Sequence, residues 1–156
     1  MSGRARSAGP RGICGLLAMV VLVVVSGCVA PAFDSGAFHR NAVHALDSAV
    51  GETRTAALVL RQHLSGRIMR PYADTVVTNS EEALGPVQAS FGSVDPPTRA
   101  DDKLRDDVGG LLSDAGDALA AARIALRTHD ARGMRKSVGE LGSLADRMEQ
   151  LSERLS

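Results

Sequence analysis

The chain has no tryptophan, one tyrosine and three phenylalanines among its 156 residues. Strands favour β-branched and aromatic side chains, so a sheet-rich fold has little to build on here. Only two cysteines occur, Cys14 and Cys28, both near the N-terminus. Everything after Cys28 therefore lacks a thiol, which excludes an intramolecular disulfide and any cysteine-ligated metal site in that part. There is no Glu-x-x-His, no His-Glu-x-x-His, no Cys-x-x-Cys-His, no glycine-rich phosphate loop and no Gly-x-Ser-x-Gly. The familiar signatures of di-iron carboxylate bundles, zinc hydrolases, covalently attached haem, nucleotide binding and serine hydrolases are thus missing. No catalytic residue, metal site or cofactor is expected. The four histidines do not help a metal reading, because His39, His44 and His63 fall on three different faces of one helix and His129 lies in a turn.

What is present begins at the N-terminus. Arg4, Arg6 and Arg11 precede an apolar run from Ile13 to Val25, and the run closes on Val25-Ser26-Gly27-Cys28. A basic stretch, an apolar core and a small-residue site form an export signal, with the arginines left on the cytoplasmic side. The four closing residues resemble the lipobox of bacterial lipoproteins. That resemblance covers about the first 28 residues and implies attachment of diacylglycerol to Cys28 and cleavage of residues 1–27. Two or more acyl chains, palmitate among them, would then hold the protein at a cell membrane facing the extracytoplasmic side. The competing readings are an uncleaved signal anchor from Ile13 to about Ala32 and an ordinary secretory signal; both also export the C-terminal part of the chain.

Residues 28–156 carry fifteen Lys and Arg against eighteen Asp and Glu, a formal charge of −3. No nucleic-acid partner is expected from so balanced a chain. Richness in Ala, Leu, Arg and Asp points to helix, and after a linker over 28–35 the apolar periodicity divides 36–156 into four amphipathic segments. The first, about 36–66, has the seam Val43, Leu46, Val50, Thr53, Ala57, Leu60 and Leu64, with Asp34 or Ser35 as its cap. The second, about 71–92, has Ala73, Val76, Ser80, Ala83 and Val87, flanked by Val77, Leu84 and Phe91. Gly85-Pro86 is expected to kink it. The third, about 98–128, starts at a Thr98/Asp101 capping arrangement and carries Leu104, Val108, Leu111, Ala115, Ala118, Ala122 and Ala125, widened by Leu112, Leu119 and Leu126. The fourth, about 131–154, carries Met134, Val138, Leu141, Leu144, Ala145, Met148, Leu151 and Leu155.

Four such helices joined by short turns predict an all-α, up-down-up-down four-helix bundle. The segments are unequal in length, and the first is expected to project beyond the others at the end nearest Cys28. In that topology the first and third turns share the end remote from Cys28. Arg61, Arg67, Arg70, Arg123, Arg127, Arg132, Arg135 and Lys136 cluster in sequence around them, with Asp74 and Asp130 nearby. The other end holds Asp34, Asp95, Asp101, Asp102, Asp106, Asp107, Glu149 and Glu153, against Arg40, Arg99, Lys103, Arg105 and Arg154. Cations at the start of the fourth helix are unfavourable to its dipole and mark a helix N-terminus ready for an anion. The candidate anion-binding residues are Arg67, Arg70, Arg127, Arg132, Arg135 and Lys136, and the expected partner is an anionic envelope polymer or an acidic protein. The rival expectation is a solute-binding bundle with a small pocket near Gly85-Pro86 and the Ala115, Ala118, Ala122 seam. Leu112, Leu119 and Leu126 are open to a second use, as a face for a partner helix.

Overall fold

The computed structural model describes residues 34–156. They form four helices: α1 (Ser35–Leu64), α2 (Arg70–Gly92), α3 (Arg99–Arg127) and α4 (Ala131–Leu155). Each boundary lies within two residues of its expected place, because the end signals work locally. Asp34 caps α1, its carboxylate accepting the Ala37 N–H at 2.7 Å. Thr98 caps α3, its hydroxyl accepting the Asp101 N–H at 3.3 Å and donating to the Asp101 carboxylate at 2.6 Å. Helix α1 ends at Gly66, whose φ of 72° suits a residue without Cβ. The Gly66 N–H bonds the His63 carbonyl and the Arg67 N–H bonds the Gln62 carbonyl, each at 2.9 Å, which satisfies the last turn. Helix α3 ends the same way at His129, φ 57°.

Cross-helix contacts set the directions. Asp74, Glu81 and Gln88 on α2 meet Arg127, Arg123 and the Leu112 carbonyl on α3, so the numbers fall on one helix as they rise on the other. On the α1–α4 pair, Asp47 meets Ser152 and Arg54 meets Glu149. All sequential neighbours pack, α4 closes on α1, and α1 also touches α3 across the bundle, whereas α2 and α4 do not touch. The composition explains that asymmetry. Ala42, Ala45, Ala49, Ala56 and Ala57 are buried on α1 and Ala115, Ala118, Ala122 and Ala125 on α3, against Ala73 alone on α2 and Ala145 alone on α4. Short side chains let those two helices approach closely.

Leu112, Leu119 and Leu126 are fully buried inside the bundle, so they serve its own core and are not themselves open to a partner helix. The α2 seam differs from the sequence expectation. Its buried line is Ala73, Val77, Ser80, Leu84 and Phe91, while Ala83 is exposed and Val76 and Val87 are half-buried. The helix turns so that the larger apolar groups go in, since a buried leucine removes more apolar surface from water than an alanine. Phe91 thereby packs on Phe38 of α1, ring centroids 5.6 Å apart. Gly85-Pro86 leaves α2 unbroken: both residues are exposed, so the Glu82 carbonyl that lacks a donor is on the solvent side.

At the end where α1 and α3 begin, both run on past α4. Ser152 is level with Asp47, yet α4 stops three residues later while α1 reaches back twelve to Ser35. The expectation that α1 projects alone is corrected here, because α3 accompanies it and Asp101 fastens the two. Asp101, 3% exposed, accepts Ser35 Oγ at 2.8 Å and Thr98 Oγ1 at 2.6 Å on one oxygen and meets His39 Nε2 at 3.0 Å on the other. Serine, histidine and aspartate meet, but the carboxylate stands between the other two. That order ties helices together and does not activate a nucleophile.

The packing bears on stability in two testable ways. A Cβ added at Gly109 or Gly110 meets nothing within 4 Å, whereas one at Gly133 would lie 2.6 Å from Asp130 Oδ2 and 3.1 Å from Ala125 Cβ. Gly109→Ala and Gly110→Ala should each raise unfolding stability by about 1 kcal/mol, and Gly133→Ala should lower it, as denaturant titration will show. The second concerns acid. Hydrogen bonds from Thr98, Ser35 and His39 hold the Asp101 carboxyl below its ordinary value against the opposing pull of burial. The stability it contributes is present in full above the ordinary carboxylate range and lost as pH falls through the lowered value. Thermal melts should therefore be flat near neutrality and drop below pH about 4. Asp101→Asn should melt lower at pH 7 and show a shallower acid limb.

Candidate anion-binding pole

Cys28 lies outside the described residues. The six candidate anion-binding residues all sit at the end remote from Ser35, but the bundle does not gather them into one site. Arg70 opens α2, Arg67 lies in the turn before it and is held to Gln62 of α1, and Arg132, Arg135 and Lys136 lie in the first two turns of α4. Helices α2 and α4 occupy opposite corners and do not touch. The basic end is therefore divided among corners.

Pairing thins it further. Arg127 Nε lies 3.1 Å from Asp74 Oδ1, with Thr78 accepting a second N–H at 3.4 Å. Lys136 Nζ is 3.3 Å from Glu140 one turn along α4. Arg123 forks onto both oxygens of Glu81 with each side chain 26% exposed, and that carboxylate raises the guanidinium pKa. Arg67, Arg70, Arg132 and Arg135 have no acid within 4.0 Å among the described residues, and neither does Arg61 at the end of α1. Arg67 reaches only the side-chain carbonyl of Gln62, at 3.3 Å.

The expected anion site on the N-terminus of α4 is already filled from within. Asp130 turns its carboxylate onto the Arg132 N–H at 3.0 Å and the Gly133 N–H, the second being the main cause of its lowered pKa. Arg132 and Arg135 add to that lowering through their charge. The capping carboxylate thus offsets the cations that otherwise oppose the helix dipole. What remains for a ligand is the outward guanidinium groups, not the backbone N–H groups.

Three features of this end are not evident from the sequence. Glu81 and Glu140 belong to its acids, and they face Arg123 and Lys136. Arg61 belongs with the unpaired cations, beyond the six candidates. Met69 and Tyr72, 78% and 60% exposed, flank Arg70 on the α2 corner; the signal is Met-Arg-Pro-Tyr, where Pro71 forces a helix start and leaves its neighbours outside the core.

The opposite end is less acidic to solvent than its count of aspartates suggests. Asp101 is buried, Asp107 pairs with Lys103 at 2.6 Å, and Asp95 lies 3.5 Å from Arg105. Of the histidines, His39 serves Asp101 and His63 Nδ1 meets the Ile68 carbonyl at 3.1 Å. Among the described residues no three of His, Cys, Asp and Glu come together in a way that would hold a metal ion. In the Ala115, Ala118 and Ala122 seam of the rival reading, Ala115 and Ala122 are fully buried. Ala118 lines a groove of about 460 Å³ between α3 and α4, with Asp114, Asp117, Gly139, Glu140 and Arg147.

The chain matches no protein-family model, no curated protein and no solved structure, so the use of this end of the bundle is read from its own residues.

Proposed function

We propose that this chain is an envelope lipoprotein whose four-helix bundle is a non-catalytic binding or scaffolding module. Cys28 carries the lipid, the bundle stands off the extracytoplasmic face of the membrane, and its basic end engages an anionic partner. One observation supports the last step above all. Arg61, Arg67, Arg70, Arg132 and Arg135 carry no acidic partner among the described residues, although residues 28–156 as a whole are acid-rich. Unpaired arginines at the end farthest from the tether present their charge to whatever lies beyond, and guanidinium groups fork onto phosphate or carboxylate. The leader supports the tether, with its arginines, apolar core and Val25-Ser26-Gly27-Cys28.

The anchor and the basic end are tested separately. Cells fed radiolabelled palmitate should label the wild type and not Cys28→Ala, and the variant should leave the membrane fraction with its bundle folded. Label independent of Cys28 would replace the lipid by a retained signal anchor. For the basic end, full-length protein in neutral detergent is titrated with a fluorescent polyanion at low and high salt. Binding should be tight at low salt, fall steeply as salt rises, and weaken in Arg132→Glu with Arg135→Glu. Absence of binding at low salt would sink the reading.

A further inference from the structure

The unpaired arginines of the basic end are not equivalent, because one group of them lies along an open seam. On α4, residues 149, 146, 142, 139, 135 and 132 succeed one another at steps of three and four, which places them on one stripe of the helix. On α1, Arg54, Leu58 and Arg61 do the same. The two stripes face each other, as Arg54 shows by pairing with Glu149 at 2.5 Å and Asp146 at 3.6 Å. The helices are antiparallel, with Asp47 bonded to Ser152. Two turns up α1, seven residues from Arg54 to Arg61, therefore correspond to two turns down α4. Where Arg54 finds Glu149 and Asp146, this register sets Arg61 level with Gly142 and Gly139, the latter also bordering the α3–α4 groove.

At that level Arg61 meets no acid within 4.0 Å among the described residues. Glycine replaces the carboxylates, and a Cβ built on Gly139 or Gly142 meets nothing within 4 Å, so the space above the helix backbone is empty. Arg135 and Arg132 continue the α4 stripe beyond the glycines, both exposed and neither paired among the described residues. Leu58, 49% exposed, borders the same seam from α1 between Arg54 and Arg61. Of the acids nearby in sequence, Glu140 is engaged by Lys136, off this stripe, and the Asp130 carboxylate accepts the Arg132 and Gly133 N–H groups at the start of α4. The result is a track open at its floor, with three guanidinium groups spread along about 12 Å of helix.

The geometry points to this α1–α4 seam as the binding track of the bundle, taking one strand of a linear anionic polymer lengthwise over Gly139 and Gly142, with Arg61, Arg135 and Arg132 meeting successive anionic groups. The inference rests on the reading of the basic end as an anion-binding pole and says which part of it binds and what it takes. A thin repeating polyanion fits better than a folded acidic protein. The track offers charges in a line and one exposed aliphatic side chain, whereas protein interfaces bury clusters of aromatic and aliphatic anchors at their centre. The α2 corner, with Arg70, lies on the far diagonal and takes no part.

The test uses full-length protein in neutral detergent and fluorescently labelled long-chain polyphosphate, read by anisotropy at low salt. Gly139→Gln with Gly142→Gln fills the track without changing any charge. Glutamine favours helix over glycine and has room here, so a thermal melt at or above that of the wild type confirms the fold. Arg61→Gln with Arg135→Gln removes charge from the track, and Arg70→Gln removes charge from the α2 corner. The filled and discharged tracks should each bind polyphosphate about tenfold more weakly, with the discharged one also losing salt dependence; the corner variant should bind as the wild type does. A filled track that binds normally, or binding lost with Arg70 instead, overturns the track and leaves the anion-binding pole standing. Wild-type protein that ignores polyphosphate overturns both, and tighter binding of poly-L-glutamate than of polyphosphate assigns the seam to an acidic protein and overturns the polymer.

Discussion

Four helices at the corners of a square touch only their neighbours. Here α1 reaches α3 as well, and the square closes to a rhombus because the buried alanines are concentrated on those two helices. Larger side chains fill the spaces to either side, with Phe38 and Phe91 in contact near one end and Leu119, Leu126 and Leu141 buried elsewhere in the core. Asp101 completes the arrangement where α1 and α3 outrun α4. A buried carboxylate is costly unless its acceptors are filled, and Ser35, Thr98 and His39 fill them from both helices. The close diagonal is thus apolar along its length and polar at its end.

That diagonal decides how charge is distributed. Holding α1 and α3 together pushes α2 and α4 to far corners, so cations near in sequence to the two distal turns cannot converge. It also brings α2 and α3 into a register where Glu81 and Asp74 meet Arg123 and Arg127. An exposed ion pair is worth about 0–1 kcal/mol, so these pairs matter less for stability than for subtraction: they remove two of the arginines from the charge that an approaching ligand would meet. The cations left over lie at the α1–α2 turn, on the α2 corner and along the α1–α4 seam.

Features written in one stretch of chain were legible in the sequence. The caps at Asp34 and Thr98, the breaks near Gly66 and Pro71 and the helix count all depend on local backbone chemistry. The wide face of Leu112, Leu119 and Leu126 pointed rightly to burial but not to which neighbour they would pack against. The α2 seam lies one position away from the periodic line, because periodicity alone does not weigh Leu84 and Phe91 against Ala83 and Val87. The site was harder still. Whether Arg127 is free or tied to Asp74, and whether Arg61 faces an acid or a glycine, depends on the rotation and stagger of two helices. Neither is encoded in the period of either helix alone. The self-capping of α4 was within reach: Asp130 directly before the helix is an N-cap signal, and it competes with any outside anion for the same N–H groups.

Helix glycines are common in this chain and most of them face open space, including Gly51, Gly85, Gly109, Gly110, Gly139 and Gly142. Each lowers helix stability relative to alanine, and none is required by a close neighbour, unlike Gly133 under Asp130. An open glycine therefore cannot by itself single out the α1–α4 seam; coincidence does. Of the open helix glycines, Gly139 and Gly142 lie on a stripe of α4 that continues into unpaired arginines and whose other end pairs with Arg54 of α1. Gly109 and Gly110 lie near the start of α3, far from the basic end. Filling the second pair is expected to stabilise the fold at no cost to binding. Filling the first sets the same gain in stability against the access that a polymer strand would need, the usual conflict between a well-covered helix and a usable surface.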